Sequence, residues 1–311
     1  MSSLATKIAS RSSGIRLYGI TPPKRSIAED ALRAVVAAQT ERIMALGADG
    51  LVVYDIEDES ARTDAPRPFP FLPTIDAATY AHATLTGVTL PKIVYRPVAR
   101  FDHASFEATL RAERDETTDR FTVLVGAPSR NAAPEGLRLG EAYELARELA
   151  PRLSVGAIAI AERHARGFTE HERMVEKLDR GCRYFITQAV YDVVSTKSLL
   201  SDLALRLAIE ERAAPPVLVT LSPCGSPKTL DFMRWLGIAF PRWLENDLRS
   251  APDILDASVE HALRIFDELA DYAHAKGIPL GVNVESVSVR KAEIDASVAL
   301  FEALSRRIDR R

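Results

Sequence analysis

What the chain has little of narrows its class first. Only two cysteines occur, Cys182 and Cys224, with no C-x-x-C pair, so a disulfide-stapled scaffold is excluded and a reducing, cytoplasmic setting is expected. Both read as small buried thiols rather than reactive ones. No apolar run approaches the ~20 residues that span a bilayer. The opening MSSLATKIASRSS is polar with no adjoining hydrophobic core, so residues 1–14 are expected to form a flexible tail and not a targeting signal. Positive charge is not in excess: the formal net charge is −3 and the isoelectric point about 6.1, which leaves no basic footprint for a nucleic-acid partner. The glycine fingerprint GxGxxG is missing, and so is the nucleophile motif GxSxG. The first absence disfavours an open doubly wound sheet; the second leaves a covalent hydrolase poorly supported. No Pro/Gly/Ser linker, short-period repeat or low-complexity tract divides the chain, so one domain over residues 15–311 is the economical reading.

What remains is 311 residues, 47% hydrophobic and 27% charged, enough to bury a large core. From Ile15 onward, short β-rich runs alternate with long helical patterns. Strands are expected at Ile15 to Ile20, Leu51 to Tyr54, Lys92 to Tyr95, Phe121 to Val125, Ser154 to Ala159, Tyr184 to Ile186, Val217 to Leu221 and Leu280 to Val284. Each is followed by a helical pattern, the first capped by Ser26 with Glu29 three residues on. Eight strand-then-helix units predict an α/β fold of the (β/α)₈ barrel type.

The most informative stretch is GFTEHERMVEKLDRGCRYFITQAVYD, residues 167 to 192. Phe168, Met174, Val175 and Leu178 recur at helical spacing, Gly181 ends the helix, and a buried strand then presents Thr187 and Gln188 at its carboxyl end. In a barrel, residues just after each strand surround one mouth. That rule nominates Thr21, Asp55, Glu57, Tyr95, Arg96 and Ala127 from the first half. From the second half it nominates Glu162, His164, Gln188, Ser222, Ser226 and Glu285. The acidic run at Asp55 to Glu59 could supply a general acid or base. No second ligand cluster of suitable spacing accompanies it, so no metal is expected. His164, flanked by Glu162 and Arg166, could touch a phosphate or move a proton, or be a plain loop histidine. His171, inside the helix, is expected at the surface.

The chain resembles the methylenetetrahydrofolate reductases. The likeness lies in PPK at Pro22 to Lys24, LDRGCRYFITQAVYD at Leu178 to Asp192, GIAFPRW at Gly237 to Trp243 and VRKAEI at Val289 to Ile294. The resemblance implies a flavin-dependent barrel that passes hydride from NAD(P)H, through FAD, to methylenetetrahydrofolate. It gives Gln188 to the folate and the nicotinamide, and Glu162, His164, Glu170 and Lys177 to the flavin. Tyr95 or Tyr54 would pack on a ring of the substrate. Where the family carries an acid on the first strand, this chain has Gly19. The family's aspartate after strand four is Ala127, its basic residue before the strand-four glycine is Val125, and its folate-packing phenylalanine falls at Ser226.

Neither glycine nor alanine donates a proton, and loss of a positioned acid removes roughly 10²–10⁴ in rate. Asp55 and Glu57 are therefore the carboxylates expected to take over. A non-redox folate-binding or accessory protein stays open beside the reductase reading, as does a metal-dependent lyase or aldolase-like barrel. A small-molecule folate or pterin is the expected partner, with no membrane and with a homo-oligomer or partner subunit left open.

Overall fold

Eight apolar runs pair in chain order as parallel strands and close on themselves. They are β1 (Arg16–Ile20), β2 (Gly50–Val53), β3 (Lys92–Pro97), β4 (Arg120–Val125), β5 (Leu153–Ala159), β6 (Tyr184–Ala189), β7 (Val217–Leu221) and β8 (Leu280–Glu285). β1 is bonded on one side to β2 and on the other to β8, which seals the barrel. The computed structural model describes residues 3–58, 63–112, 119–126 and 136–311. The fold is a (β/α)₈ barrel.

Strand alternation sorts the core into two shells, because successive side chains point to opposite faces. Leu17, Val52, Ile93, Phe121, Val123, Tyr184, Ile186 and Leu218 fill the barrel interior. Tyr18, Leu51, Val53, Val94, Leu124, Val155, Phe185 and Val219 pack outward against the helices. Strands buried on both faces read as continuous Val/Ile/Leu runs, which is why they stood out in the sequence.

Residues 1–14 depart from expectation. Residues 4 to 9 form a helix, α1 (Leu4–Ala9), capped by Ser3. Leu4 is only 2% exposed and Ile8 3%, and both belong to the interior cluster. The Leu4 side chain reaches the start of β2 at Gly50, so α1 plugs the amino-terminal end of the barrel. Two apolar residues four apart were too short a pattern to read as a plug.

Other boundaries moved for local reasons. The helix α2 (Glu29–Ala45) starts at Glu29, after Ala28, with no side-chain cap. Ser26 sits in a turn between the Ile27 N–H to Lys24 carbonyl bond and a bridge from Lys24 to Thr74. The helix expected over 75–86 is one turn, α3 (Ala77–Thr79), capped by Asp76 and continued as a π-helical turn over Tyr80–Thr84. Around the rest of the barrel run α4 (His103–Ala112), α5 (Leu139–Leu149), α6 (Ala161–Gly167), α7 (Glu170–Asp179) and α8 (Val193–Ile209). They are followed by α9 (Pro227–Trp235), α10 (Arg242–Ser250), α11 (Ile254–Ala275) and α12 (Lys291–Ile308). Phe168 is not on the buried face of α7; it ends α6 in a left-handed conformation and is 63% exposed. Both thiols are buried, and desolvation pushes each up to about 12.

Candidate functional site at the barrel mouth

The carboxyl ends of the strands bring a polar set together on the β2–β1–β8 side. Gly19 on β1 is paired with Glu285 on β8 and with Val52 on β2. A side chain at Gly19 would have nowhere to go: a Cβ there would lie 2.7 Å from Tyr54 Cε2 and 3.2 Å from Glu285 Cβ. The ring of Tyr54 and the stem of Glu285 thus fill the place that an acid on β1 would take.

Those two residues are joined. Asn283 Nδ2, on the same inward row of β8, donates to the Tyr54 hydroxyl at 2.7 Å and to Thr220 Oγ1 at 3.1 Å. Tyr54 in turn hydrogen-bonds the Glu285 carboxyl, and its ring meets Tyr95 edge-on with centroids 4.7 Å apart. Thr220 Oγ1 donates to the Thr187 carbonyl at 2.6 Å. The result is a network branching at Asn283, one arm reaching Glu285 through Tyr54 and the other ending on the Thr187 carbonyl. Desolvation pushes Glu285 up to about 7, opposed only by the Tyr54 bond. A carboxyl poised near neutrality in a partly exposed position can both hold and release a proton.

Asp55 and Glu57 take a different arrangement. Asp55 receives two hydrogen bonds from Arg100 Nη1, at 2.8 and 2.9 Å, and Glu57 accepts from Arg100 Nε at 2.8 Å. Burial raises the Asp55 carboxyl and the Arg100 guanidinium opposes it. Asp55 borders a small cleft shared with Asp76, Tyr95 and Arg96 beside the β3 exit. The two carboxylates expected to replace the missing acid therefore serve one guanidinium, while a third, Glu285, stands next to Gly19. Glu59 and Ala127 lie outside the described residues.

Gln188 falls within β6, two residues beyond Ile186, so the strand runs on past the expected end. The register with β7 shifts between Ile186 and Ala189, a bulge that re-aims side chains. Gln188 is partly exposed, and its Nε2 donates to the Leu236 carbonyl at 2.9 Å. Tyr95 is buried against Tyr54, and desolvation raises its hydroxyl well above the ordinary range. Ser226 caps α9, accepting from the Thr229 N–H at 3.0 Å. Ser222 is buried, with its carbonyl bonded by the Tyr191 hydroxyl.

The four side chains that the resemblance gives to flavin are engaged within the protein. His164 is 0% exposed, with Nε2 at 3.0 Å from Asp202 of α8. Glu170 is equally buried, accepts from the Ile160 N–H and pairs with Arg173. Lys177 Nζ donates to the Ile158 carbonyl at 2.8 Å, and burial lowers its pKa. Glu162 accepts from the Ala239 N–H, and desolvation raises it. A flavin arm needs such groups turned outward, and this set does not fit one. His171, expected at the surface, packs edge-on against His164, its side chain 14% exposed. Among the described residues, His164, His171 and Asp202 are the group that could hold a metal, with ligand atoms within 4.8 Å of one another.

No family model and no curated protein matches the chain. A solved structure does: an uncharacterized protein from Clostridium thermocellum that binds two copies of 5-methyl-5,6,7,8-tetrahydrofolic acid. It is 42% identical, the match covers 97% of this chain and 99% of that one, and the TM-score is 0.86. This chain belongs to that protein's family. Dihydropteroate synthase of Xanthomonas albilineans, solved with 4-aminobenzoic acid, is 16% identical over 96% of this chain and 97% of its own, with a TM-score of 0.42; at that level the likeness carries no argument. Asn283 is a residue of this cluster that the sequence reading did not nominate. The signal for Asn283 was its spacing: LGVNVE places two polar residues, Asn283 and Glu285, on one face of an otherwise apolar strand. Among the described residues, no helix is long and apolar enough to cross a membrane.

Proposed function

We propose that this chain binds a reduced folate in the mouth of its barrel and acts in one-carbon metabolism as a folate-binding protein. The observation that carries the reading is the full-length, 42%-identical relative described as binding 5-methyltetrahydrofolate. The mouth offers suitable chemistry. A pterin edge carries alternating donors and acceptors, and Gln188 and the Glu285 carboxyl supply both kinds. The test is a titration of the purified protein with 5-methyltetrahydrofolate, followed by calorimetry. Saturable binding that is weakened by Gln188→Ala supports the reading, and absence of binding removes it.

A second reading is favoured by the Glu285 carboxyl near 7. In a reductase, hydride from a reduced nicotinamide would reach the methylene carbon of methylenetetrahydrofolate, the bond from that carbon to N10 would break, and N10 would take a proton. In this reading Glu285, hydrogen-bonded by Tyr54, gives that proton. The hydride comes directly from the nicotinamide in this reading, because Glu162, His164, Glu170 and Lys177 are engaged within the protein. Folate-dependent oxidation of NADH or NADPH, abolished by Glu285→Gln, is the expected result. Folate binding without nicotinamide oxidation leaves the non-redox reading alone.

A further inference from the structure

The loop after β2 does more than connect. Its far end is tied to the β1 exit by the Lys24–Thr74 bridge and by the Arg25 N–H to Pro73 carbonyl bond. Its middle is tied to α9, after β7, where Trp235 Nε1 donates to the Ala65 carbonyl at 2.9 Å. The loop is thus anchored at two points, at the β1 exit and at α9 after β7.

At that contact Arg67 is enclosed by aromatic rings. Its guanidinium carbon lies 5.0 Å from the Trp235 ring centre, 5.3 Å from that of Phe71 and 5.4 Å from that of Phe232. The side chain is 13% exposed, and it pairs with an Asp58 carboxylate oxygen at 4.0 Å, beyond hydrogen-bond reach. Among the described residues, neither the buried Nε nor the buried Nη1 has a hydrogen-bond acceptor. A cation desolvated in this way, with cation–π contacts and one long, half-exposed ion pair to Asp58, is held at a cost that a closer anion would offset. Guanidinium suits a carboxylate, which it grips through parallel N–H bonds, and the flat rings beside it suit an aromatic ring. Lys228, 4.5 Å over the Phe69 ring, adds a second positive charge nearby. Trp235 is next in sequence to Leu236, whose carbonyl holds Gln188, so this cage adjoins the wall of the mouth.

We propose that Arg67, in its cage of Phe71, Phe232 and Trp235, anchors the carboxylate of the benzoylglutamate tail of a reduced folate whose pterin lies in the mouth. This rests on the folate-binding reading and extends it from the ring to the tail. Aromatic ring and carboxylate occur together in that tail, and the cage presents the matching pair.

The chain has two tryptophans, and a Trp243→Phe background leaves Trp235 as the sole indole reporter in the cage. In that background, 5-methyltetrahydrofolate and p-aminobenzoyl-L-glutamate are each expected to change Trp235 emission, and the second to compete with the first. Arg67→Ala is expected to weaken 5-methyltetrahydrofolate roughly ten- to hundredfold while 6-methyltetrahydropterin, which has no tail, binds within about twofold of before. Arg67→Lys, which keeps the charge and loses the planar fork, should fall between. Equal loss for tailed and tail-less ligands, or no loss for either, overturns the proposal while folate binding stands. Should Arg67→Ala fail to fold, failure of p-aminobenzoyl-L-glutamate to compete on the unmutated cage overturns it. A protein that binds neither folate nor pterin overturns both readings together.

Discussion

Gly19 and Glu285 are neighbours across the seam that closes the barrel, and the space above the glycine is held by the ring of Tyr54 and the stem of the glutamate. An acid absent from the first strand has a counterpart on the eighth, one strand position away. The two features depend on each other, since a side chain at 19 would displace the tyrosine that bonds Glu285.

Gly19→Ala is therefore expected to destabilise the fold by about 1–3 kcal/mol, the usual penalty of overpacking, because the new methyl group meets Tyr54 Cε2 at 2.7 Å. Urea denaturation measures the loss. Folate affinity should fall with it, and an unchanged midpoint would mean that Tyr54 does not occupy this space.

The Glu285 carboxyl is raised from 4.5 to about 7 by burial. Between those values the folded protein holds a proton that the unfolded chain has released, so stability is full below about pH 4.5 and declines as pH rises through 7. The contribution is on the order of 3 kcal/mol. Glu285→Gln removes this dependence: its stability should change less between pH 5 and 8 than that of the unmutated protein. Parallel pH–stability curves for the two would contradict the buried, protonated state.

Leu4→Ala is expected to destabilise by about 2–5 kcal/mol, as for other buried leucines, because α1 plugs the floor of the barrel. A loose tail would tolerate the change, so an unaltered denaturation midpoint would return residues 1–14 to that description.

His164, Glu170 and Lys177 hold helices and strand ends together. Added FAD should leave the melting temperature of the protein unchanged, since a ligand raises it only by binding the folded state. His164→Ala should lower that temperature by the same amount with or without FAD. A flavin-dependent rise, lost in the variant, would restore the cofactor role.

Much of this was legible in the chain. The β7 bounds at Val217 and Leu221 were read correctly because a strand buried on both faces is a continuous apolar run closed off by turn residues. Gln188 stood out as a polar group at a strand end, and Gly19 as the position of a missing acid. The choice among carboxylates was not legible: Asp55 and Glu57 form a conspicuous acidic run, yet Arg100, more than forty residues away, takes both. His164 and Lys177 also look like free polar groups until their partners on other segments are known.

The sequence by itself determined the barrel, because eight alternations of a short apolar β-rich run with a helical pattern of 3.6-residue period admit few other closed arrangements. It also determined which residues end on the mouth, since that follows from strand order and polarity alone. Only the tertiary structure decided which of those side chains face a ligand. Hydrogen bonds and ion pairs between distant segments, such as Arg100 with Asp55 or Asp202 with His164, are fixed by where the closed sheet brings the chain back, and local spacing carries no record of that.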